Sequence, residues 1–288
     1  MAKKDRIKEK EKKQNQLSLI ELDKKLGAMP YTSDEYMKVL EKIRKRERGL
    51  YKDQHILCIN SLALTKMGMK TLLVDSDGYQ VLCEGFKFND FSDNNTISGF
   101  YPRYMIEHDY RYKQVLTFAY VTNKDRTEFL LLRKVDSNRL GMIGGHTDFS
   151  MEAYSTKPED FLIQNLYKEL FEEVRIQDLE GNKITKQEEL KAEVSIKMII
   201  NENDDHYKLR NIGFIYEIKL DVDKFDNHYK FTSGEPSIHD IEQATFKDIQ
   251  DSNRYHSMLK YIPQIFEAPE NFKSNVPMFK RMVSEEKG

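Results

Sequence analysis

One long helical pattern set among strands governs what this chain can become. Residues 159–175 carry apolar side chains at helical spacing. Strand-like segments stand before them at 114–122 and 127–134 and after them at 194–201 and 211–220, with a weaker one at 241–247. Another helical pattern follows at 253–267. Strands, one long helix, further strands and a last helix imply an α/β sandwich built on a mixed sheet. The sheet-forming part opens at Lys70, where TLLV and YQVLCE flank Asp75-Ser76-Asp77-Gly78, a hairpin turn with a glycine available for positive φ. No internal repeat is visible.

Residues 1–66 have a different texture and read as a basic helical extension, leaving 67–288 as the main domain. Between residues 3 and 13 seven basic side chains face three acidic ones with almost nothing apolar, a run that cannot fold alone and reads as a solvated tail. Apolar residues at 19, 22 and 26 then make a short helix that Gly27 and Pro30 end. Thr32 stands three residues before Glu35, a capping-box spacing, and a second helix runs from about Ser33 towards Arg48 with Tyr36, Val39, Leu40 and Ile43 on its apolar face. Its other face is basic, through Lys38, Lys42, Arg44, Lys45, Arg46 and Arg48. Such a face is more often solvated than bound to nucleic acid. Residues 55–67 read as a further buried segment, helical but ambiguous in type.

Composition sets exclusions. With 39% hydrophobic and 33% charged residues the chain has material for a core under a heavily solvated surface. A net charge of −2 provides no overall field that would steer it to nucleic acid or to an anionic membrane. Cys58 and Cys83 are the only cysteines, without a Cys/His cluster for zinc, which suits a reducing compartment. The charged start is not followed by an apolar h-region, and no stretch reaches the length of a membrane span. A cytoplasmic protein without a membrane partner is expected, with homo-oligomerisation left open.

The chemistry concentrates in FLLLRKV (129–135), GMIGGHTD (141–148) and EDFLIQNLYKELFEEV (159–174). On a helical wheel Ile163, Leu166, Leu170 and Val174 fall on one side, and Glu169, Glu172 and Glu173 on another. Three neighbouring carboxylates repel one another, and a hard divalent cation such as Mg²⁺ or Mn²⁺, which prefers oxygen ligands, would relieve them. Beside a phosphate-bearing substrate that ion would neutralise charge and lower the pKa of an attacking water. An ordinary acidic surface is the competing reading. Gly144-Gly145 at a strand end would let backbone approach an ion or phosphate closely and offer a carbonyl as ligand.

This constellation resembles the box of the Nudix, or MutT-like, superfamily, G-x5-E-x7-R-E-U-x-E-E-x-G-U with U aliphatic. KELFEEVRI (168–176) looks like its second half and IGGHTD (143–148) like the glycine-bearing strand end before it. PRYMIEHDYRYKQ (102–114) resembles an element of a poorly characterised branch of predicted phosphoesterases in that superfamily. The resemblance extends over about residues 70 to 265. It implies a Nudix-like α/β/α sandwich with a mixed sheet, and hydrolysis of a phosphoanhydride bond in a nucleoside diphosphate linked to another moiety, that is, a small-molecule nucleotide substrate. Departures are Lys168 for the box arginine, Arg175 for the late box glycine, and 24 positions between Gly145 and Glu169 where the family has 15. About nine residues are thus inserted, and the first box glutamate has Asp148, Glu152, Glu159 and Asp160 as candidate counterparts.

By the resemblance, Glu169 would be metal ligand or general base, and Glu172 and Glu173 would hold the ions with the Gly144 carbonyl. Lys168 would position Glu169 or a phosphate oxygen, or simply pair with Glu172 at i,i+4. His146 and Asp148, just past the glycines, would face substrate or metal. Arg133, at a strand end, would clamp phosphate unless it makes a surface ion pair. Arg103, Lys113 and Tyr112 in the branch-like element, and Asp204 and Asp205 in a later loop, are weaker candidates. Tyr101, Tyr104, Phe149 and Tyr154 could stack on a base. Two other functions compete: a catalytically weak nucleotide-binding regulatory module, and an RNA-directed pyrophosphohydrolase using the basic helix at 38–48.

Overall fold

A computed structural model describes residues 19–51, 53–61, 70–74, 79–84, 98–135, 139–149, 158–202 and 211–250. Strands β1 (His55–Asn60), β2 (Lys70–Val74), β3 (Tyr79–Glu84), β4 (Ser98–Pro102), β5 (Tyr112–Thr122), β6 (Glu128–Lys134), β7 (Leu140–Gly141), β8 (Ile143–His146), β11 (Ala192–Glu202), β12 (Asn211–Leu220) and β14 (Ile238–Thr245) form one mixed sheet. A second sheet joins β9 (Val174–Asp178), β10 (Lys183–Ile184) and β13 (Tyr229–Ser233). The helices are α1 (19–27), α2 (Asp34–Glu47), α3 (Arg103–Ile106), α4 (Pro158–Glu173) and α5 (Phe246–Gln250). The expected strand pair around residues 75–78 forms as β2 antiparallel to β3, while the turn itself and the helix expected at 253–267 lie outside the described residues.

Strand β5 organises the sheet. It runs parallel to β12 from Gln114 beside Asn211 to Thr122 beside Lys219, and antiparallel to β1, β8 and β6 on its other edge. Parallel neighbours need a long crossover, and α4 lies within the one between β5 and β12. Pro158 opens α4, where its missing N–H and fixed φ suit the first turn. Phe161, Leu162, Leu166 and Leu170 of α4 are buried in one core with Val115, Ala119 and Val121 of β5, Leu130 and Leu132 of β6, and Ile176 and Tyr229 of the small sheet. Each such apolar side chain contributes about 1.5–3 kcal/mol relative to exposure. The small sheet was not legible as strands. Its β9 begins directly at Val174, and the Gly234 N–H donates to the Glu173 carbonyl at 2.8 Å, closing the helix end.

The segment expected as helix from 55 is instead strand β1, whose Ile56, Cys58 and Ile59 are buried and whose backbone pairs with β4 and β5. The β-branched Ile56 and Ile59 suit a pleated strand better than a helix. The second helix spans the expected residues, but its cap is Ser33 rather than Thr32: the Ser33 hydroxyl accepts the Tyr36 N–H at 3.1 Å. Arg44, expected on a basic outer face, turns inward to Asp109 at 3.0 Å and to the Met105 carbonyl at 2.8 Å. Both helices dock on the segment after α3. His108 is held between Asp23 at 2.5 Å and Glu47 at 2.8 Å, with all three side chains buried. Among the described residues no helix is long and apolar enough to cross a membrane.

Candidate active site

The last turns of α4 bring its acidic side chains against β8. Glu169 lies over Gly145, where a Cβ would stand only 2.6 Å from Oε2. Gly144 has another constraint. Its φ is +136°, and a Cβ there would fall 2.0 Å from the Thr117 carbonyl oxygen of β5. The glycine pair thus serves strand packing at one position and makes room for a carboxylate at the next.

Glu173, 6% exposed in its side chain, is fixed by two donors: Lys134 Nζ at 2.6 Å and the Gly144 N–H at 2.8 Å. The Gly144 amide thus holds this carboxylate, a role beside the one expected of its carbonyl. Nearer solvent, the Lys168 ammonium sits among three carboxylates, 3.2 Å from Asp148, 3.4 Å from Glu169 and 3.5 Å from Glu172. Pairing with Glu172 at i,i+4 is thus one contact of Lys168 beside those with Asp148 and Glu169.

Burial pushes the Glu169 carboxyl up to about 7, aided by the charges of Glu173 and Glu172 and opposed by Lys168. Burial also raises Glu173, against the pull of Lys134 and the Gly144 amide. For Lys168 burial acts downward, but Glu169, Asp148 and Glu172 together hold the ammonium above its ordinary value. A carboxylate poised near neutrality beside the Lys168 ammonium can accept or release a proton at working pH.

The remaining candidates divide. Asp148 joins the cluster through Lys168. His146, on β8, pairs its Nε2 with the Gln114 side-chain oxygen at 2.7 Å. Arg133 is bound to Glu242 of β14, the ion pair that was its alternative to a phosphate contact. The next residue, Lys134, points to the opposite face of the strand and meets Glu173. Arg103 pairs with Glu107 at 2.8 Å and Gln54 at 3.1 Å and lies over the Tyr51 ring, so it is engaged beside α3 rather than with the carboxylates. Lys113 is buried, and Tyr112 packs on Tyr101 with ring centroids 5.1 Å apart. Phe149, beside Asp148, meets Phe100 edge-on at 5.2 Å and keeps an exposed face. Glu152, Tyr154, Asp204, Asp205 and the side chains of Glu159 and Asp160 lie outside the described residues.

Sequence reasoning missed Lys134 and Asn165. The alternation of sides along β6 was the available signal for the first. For the second it was a polar residue one helical turn before Glu169 on an otherwise apolar stretch.

No family profile matches the sequence, and no curated protein matches it. Solved structures do resemble it. Tm1382, described as a candidate Nudix hydrolase, gives a TM-score of 0.46 at 18% identity over 68% of this chain and 88% of its own. The Nudix domain of Shewanella oneidensis NrtR, complexed with ADP ribose, gives 0.34 at 15% identity, over 54% of this chain and 87% of its own. A bifunctional NMN adenylyltransferase/ADP ribose pyrophosphatase from Francisella tularensis, complexed with AMP and a manganese ion, gives 0.38 at 15% identity, over 62% and 51%.

Proposed function

We propose that this protein is a metal-dependent hydrolase of the Nudix type, cleaving a phosphoanhydride bond in a nucleoside diphosphate linked to another moiety. The observation that carries the reading is the Glu169 carboxylate, packed over Gly145 beside two further glutamates and raised to about 7. Four carboxylates (Asp148, Glu169, Glu172, Glu173) face two ammoniums (Lys134, Lys168). Among the described residues no three His, Cys, Asp or Glu side chains stand in ligating geometry, and the point shared by Asp148, Glu169 and Glu172 holds the Lys168 ammonium. An all-oxygen donor set with surplus negative charge around a point that already hosts a cation fits Mg²⁺ or Mn²⁺. Glu169, Glu172 and Asp148 would hold the ion, with Glu173 fixing the helix against β8.

When bound, the ion supplies phosphate charge neutralisation and a more acidic water. The chain's own residues do the rest. Glu169 takes a proton near neutral pH. Lys168, with 42% of its side chain exposed, is free to turn from the carboxylates to a phosphate oxygen. The exposed face of Phe149 offers a stacking surface beside Asp148.

The test is release of phosphate or nucleotide from a panel of dinucleotides, nucleoside diphosphate sugars and nucleoside triphosphates with Mg²⁺ or Mn²⁺, with Glu169→Gln as control. Metal-dependent cleavage of one class, reduced about a hundredfold or more in the variant, is expected. Silence over the panel with one compound still bound would replace the enzyme by a regulatory nucleotide-binding module.

A further inference from the structure

Asn165 is buried, with 4% of its surface exposed, on the face of α4 that meets β5 and β8. Its side-chain oxygen accepts the Asp148 N–H at 3.2 Å. Its amide nitrogen donates to the Thr117 hydroxyl at 2.8 Å and to the His146 carbonyl at 3.3 Å. One side chain therefore ties the helix to the backbone on both sides of Thr147, at the point where the chain leaves β8. Asp148 follows immediately and reaches Lys168 on the same helix, so the segment is joined to α4 at two places. A buried amide in an apolar layer is retained at a cost unless each polar atom is paired, and here each is.

We infer that Asn165 is a positioning residue that fixes Asp148 at the cation cluster, making Asp148 an oxygen donor to the metal alongside Glu169 and Glu172. This rests on the metal-dependent reading proposed above. It goes beyond that reading by naming what holds Asp148, one candidate counterpart of the first box glutamate, in place at the cluster. Without Asn165 the Asp148 amide loses its acceptor and the segment after β8 loses one of its two links to the helix; β1 still holds the backbone on either side, through Leu57 N–H to the Thr147 carbonyl and Phe149 N–H to the His55 carbonyl, so what is lost is the setting of Asp148 against α4. Groups that orient a ligand typically change metal affinity by roughly 10–100-fold when removed.

The experiment is Mn²⁺ binding by electron paramagnetic resonance to the full chain, without substrate, for the wild type, Asn165→Ala, Asp148→Asn, the double variant and Thr117→Val. Asn165→Ala and Asp148→Asn should each weaken Mn²⁺ about tenfold, and the double variant should be no weaker than Asp148→Asn alone. Thr117→Val removes the hydroxyl partner of Asn165 but leaves the link to Asp148, so its thermal midpoint should fall while its Mn²⁺ affinity stays at the wild-type value. Additive losses in the double variant, or Thr117→Val weakening Mn²⁺ as much as Asn165→Ala, would reduce Asn165 to a packing role and overturn the inference. Unchanged affinity in Asn165→Ala would overturn it too. Failure of the wild type itself to bind Mn²⁺ would remove the metal-dependent reading and this inference with it.

Discussion

The Lys134 ammonium meets the Glu173 carboxylate at 2.6 Å, so β6 and α4 are joined by an ion pair whose acidic member is almost wholly buried. Removing one partner of such a pair leaves an uncompensated charge, which costs about 3–5 kcal/mol when burial is complete. Lys134 is partly exposed and the Gly144 amide still donates to Glu173, so Lys134→Met should cost on the order of 2–3 kcal/mol. Arg133→Met, one residue away, breaks the partly exposed pair with Glu242, which should cost about 1 kcal/mol or less. Urea denaturation at pH 7.5 measures both. Equal losses would mean that Glu173 does not depend on Lys134.

Glu169 links activity to stability through pH. Its folded-state pKa of about 7 lies above the model-peptide value of 4.5, so the native state binds more protons than the unfolded chain between those values. Stability from this group is therefore full below about pH 4.5 and declines as pH rises through 7. The shift corresponds to roughly 3 kcal/mol. In metal-free protein, Glu169→Gln should be more stable than the wild type at pH 8, and the two should converge near pH 4.5. Turnover has the opposite sense, rising with pH as the carboxylate ionises, and because a bound cation favours the ionised form that rise should lie below pH 7. Thermal midpoints of wild type and variant across this range provide the check, and a constant gap would remove the assigned shift.

The two glycines separate fold from site. Gly144→Ala places a methyl against the Thr117 backbone at a φ that side chains rarely adopt, so a loss of about 3 kcal/mol or more is expected. Gly145→Ala meets first the far end of the Glu169 side chain, which can swing aside. Its stability should change by less than about 1 kcal/mol while phosphoanhydride cleavage falls at least tenfold. Denaturation and turnover measured on the same preparations test the contrast. A Gly145→Ala variant with wild-type turnover would show that Glu169 is not needed where it lies.

Helical periodicity made α4 and its acidic side readable, because the apolar spacing of Leu166 and Leu170 and the run of Glu169, Glu172 and Glu173 are local facts. Strands β5, β6, β11 and β12 were readable for the same reason. Strand β1 was not: a short apolar run has no period that separates a strand from a buried helix, and only its partners β4 and β5 decide. The partners of Glu173 were hidden too, since Lys134 is 39 residues away and becomes its neighbour only when β6 and α4 pack together. Arg133 and Lys134 were equivalent as charges in the sequence and differ by the face of a strand. Asn165 had no charge or motif to mark it.

Lys168 occupies the point where the metal would be held. Replacing it with methionine removes a competing cation whose partly exposed pairs are together worth on the order of 1 kcal/mol. Mn²⁺ should then bind roughly fivefold more tightly. Acylation of Lys168 in the wild type, followed by mass spectrometry, should accelerate when Mn²⁺ is added, while that of Lys134 should not. Slower labelling of Lys168 with metal would mean that the ammonium stays among the carboxylates.

His108 makes the docking of the N-terminal helices depend on alkali. Burial acts to lower its pKa, but Asp23 and Glu47 outweigh it and hold the imidazolium at about 9, above the ordinary 6.5. The folded state therefore retains a proton that the unfolded chain releases between these values. The resulting stabilisation is full below about pH 6.5 and is lost as pH rises through 9. Its size is on the order of 3 kcal/mol. Because Asp23 and Glu47 come from α1 and α2, the loss falls on the contact between those helices and the segment after α3. Between pH 7 and 10 the wild type should lose thermal stability and become cleavable at the 28–33 connection before the sheet unfolds. His108→Gln has no proton to release there, so its decline should be flatter. An equally steep fall in the variant would assign the alkaline loss to other groups.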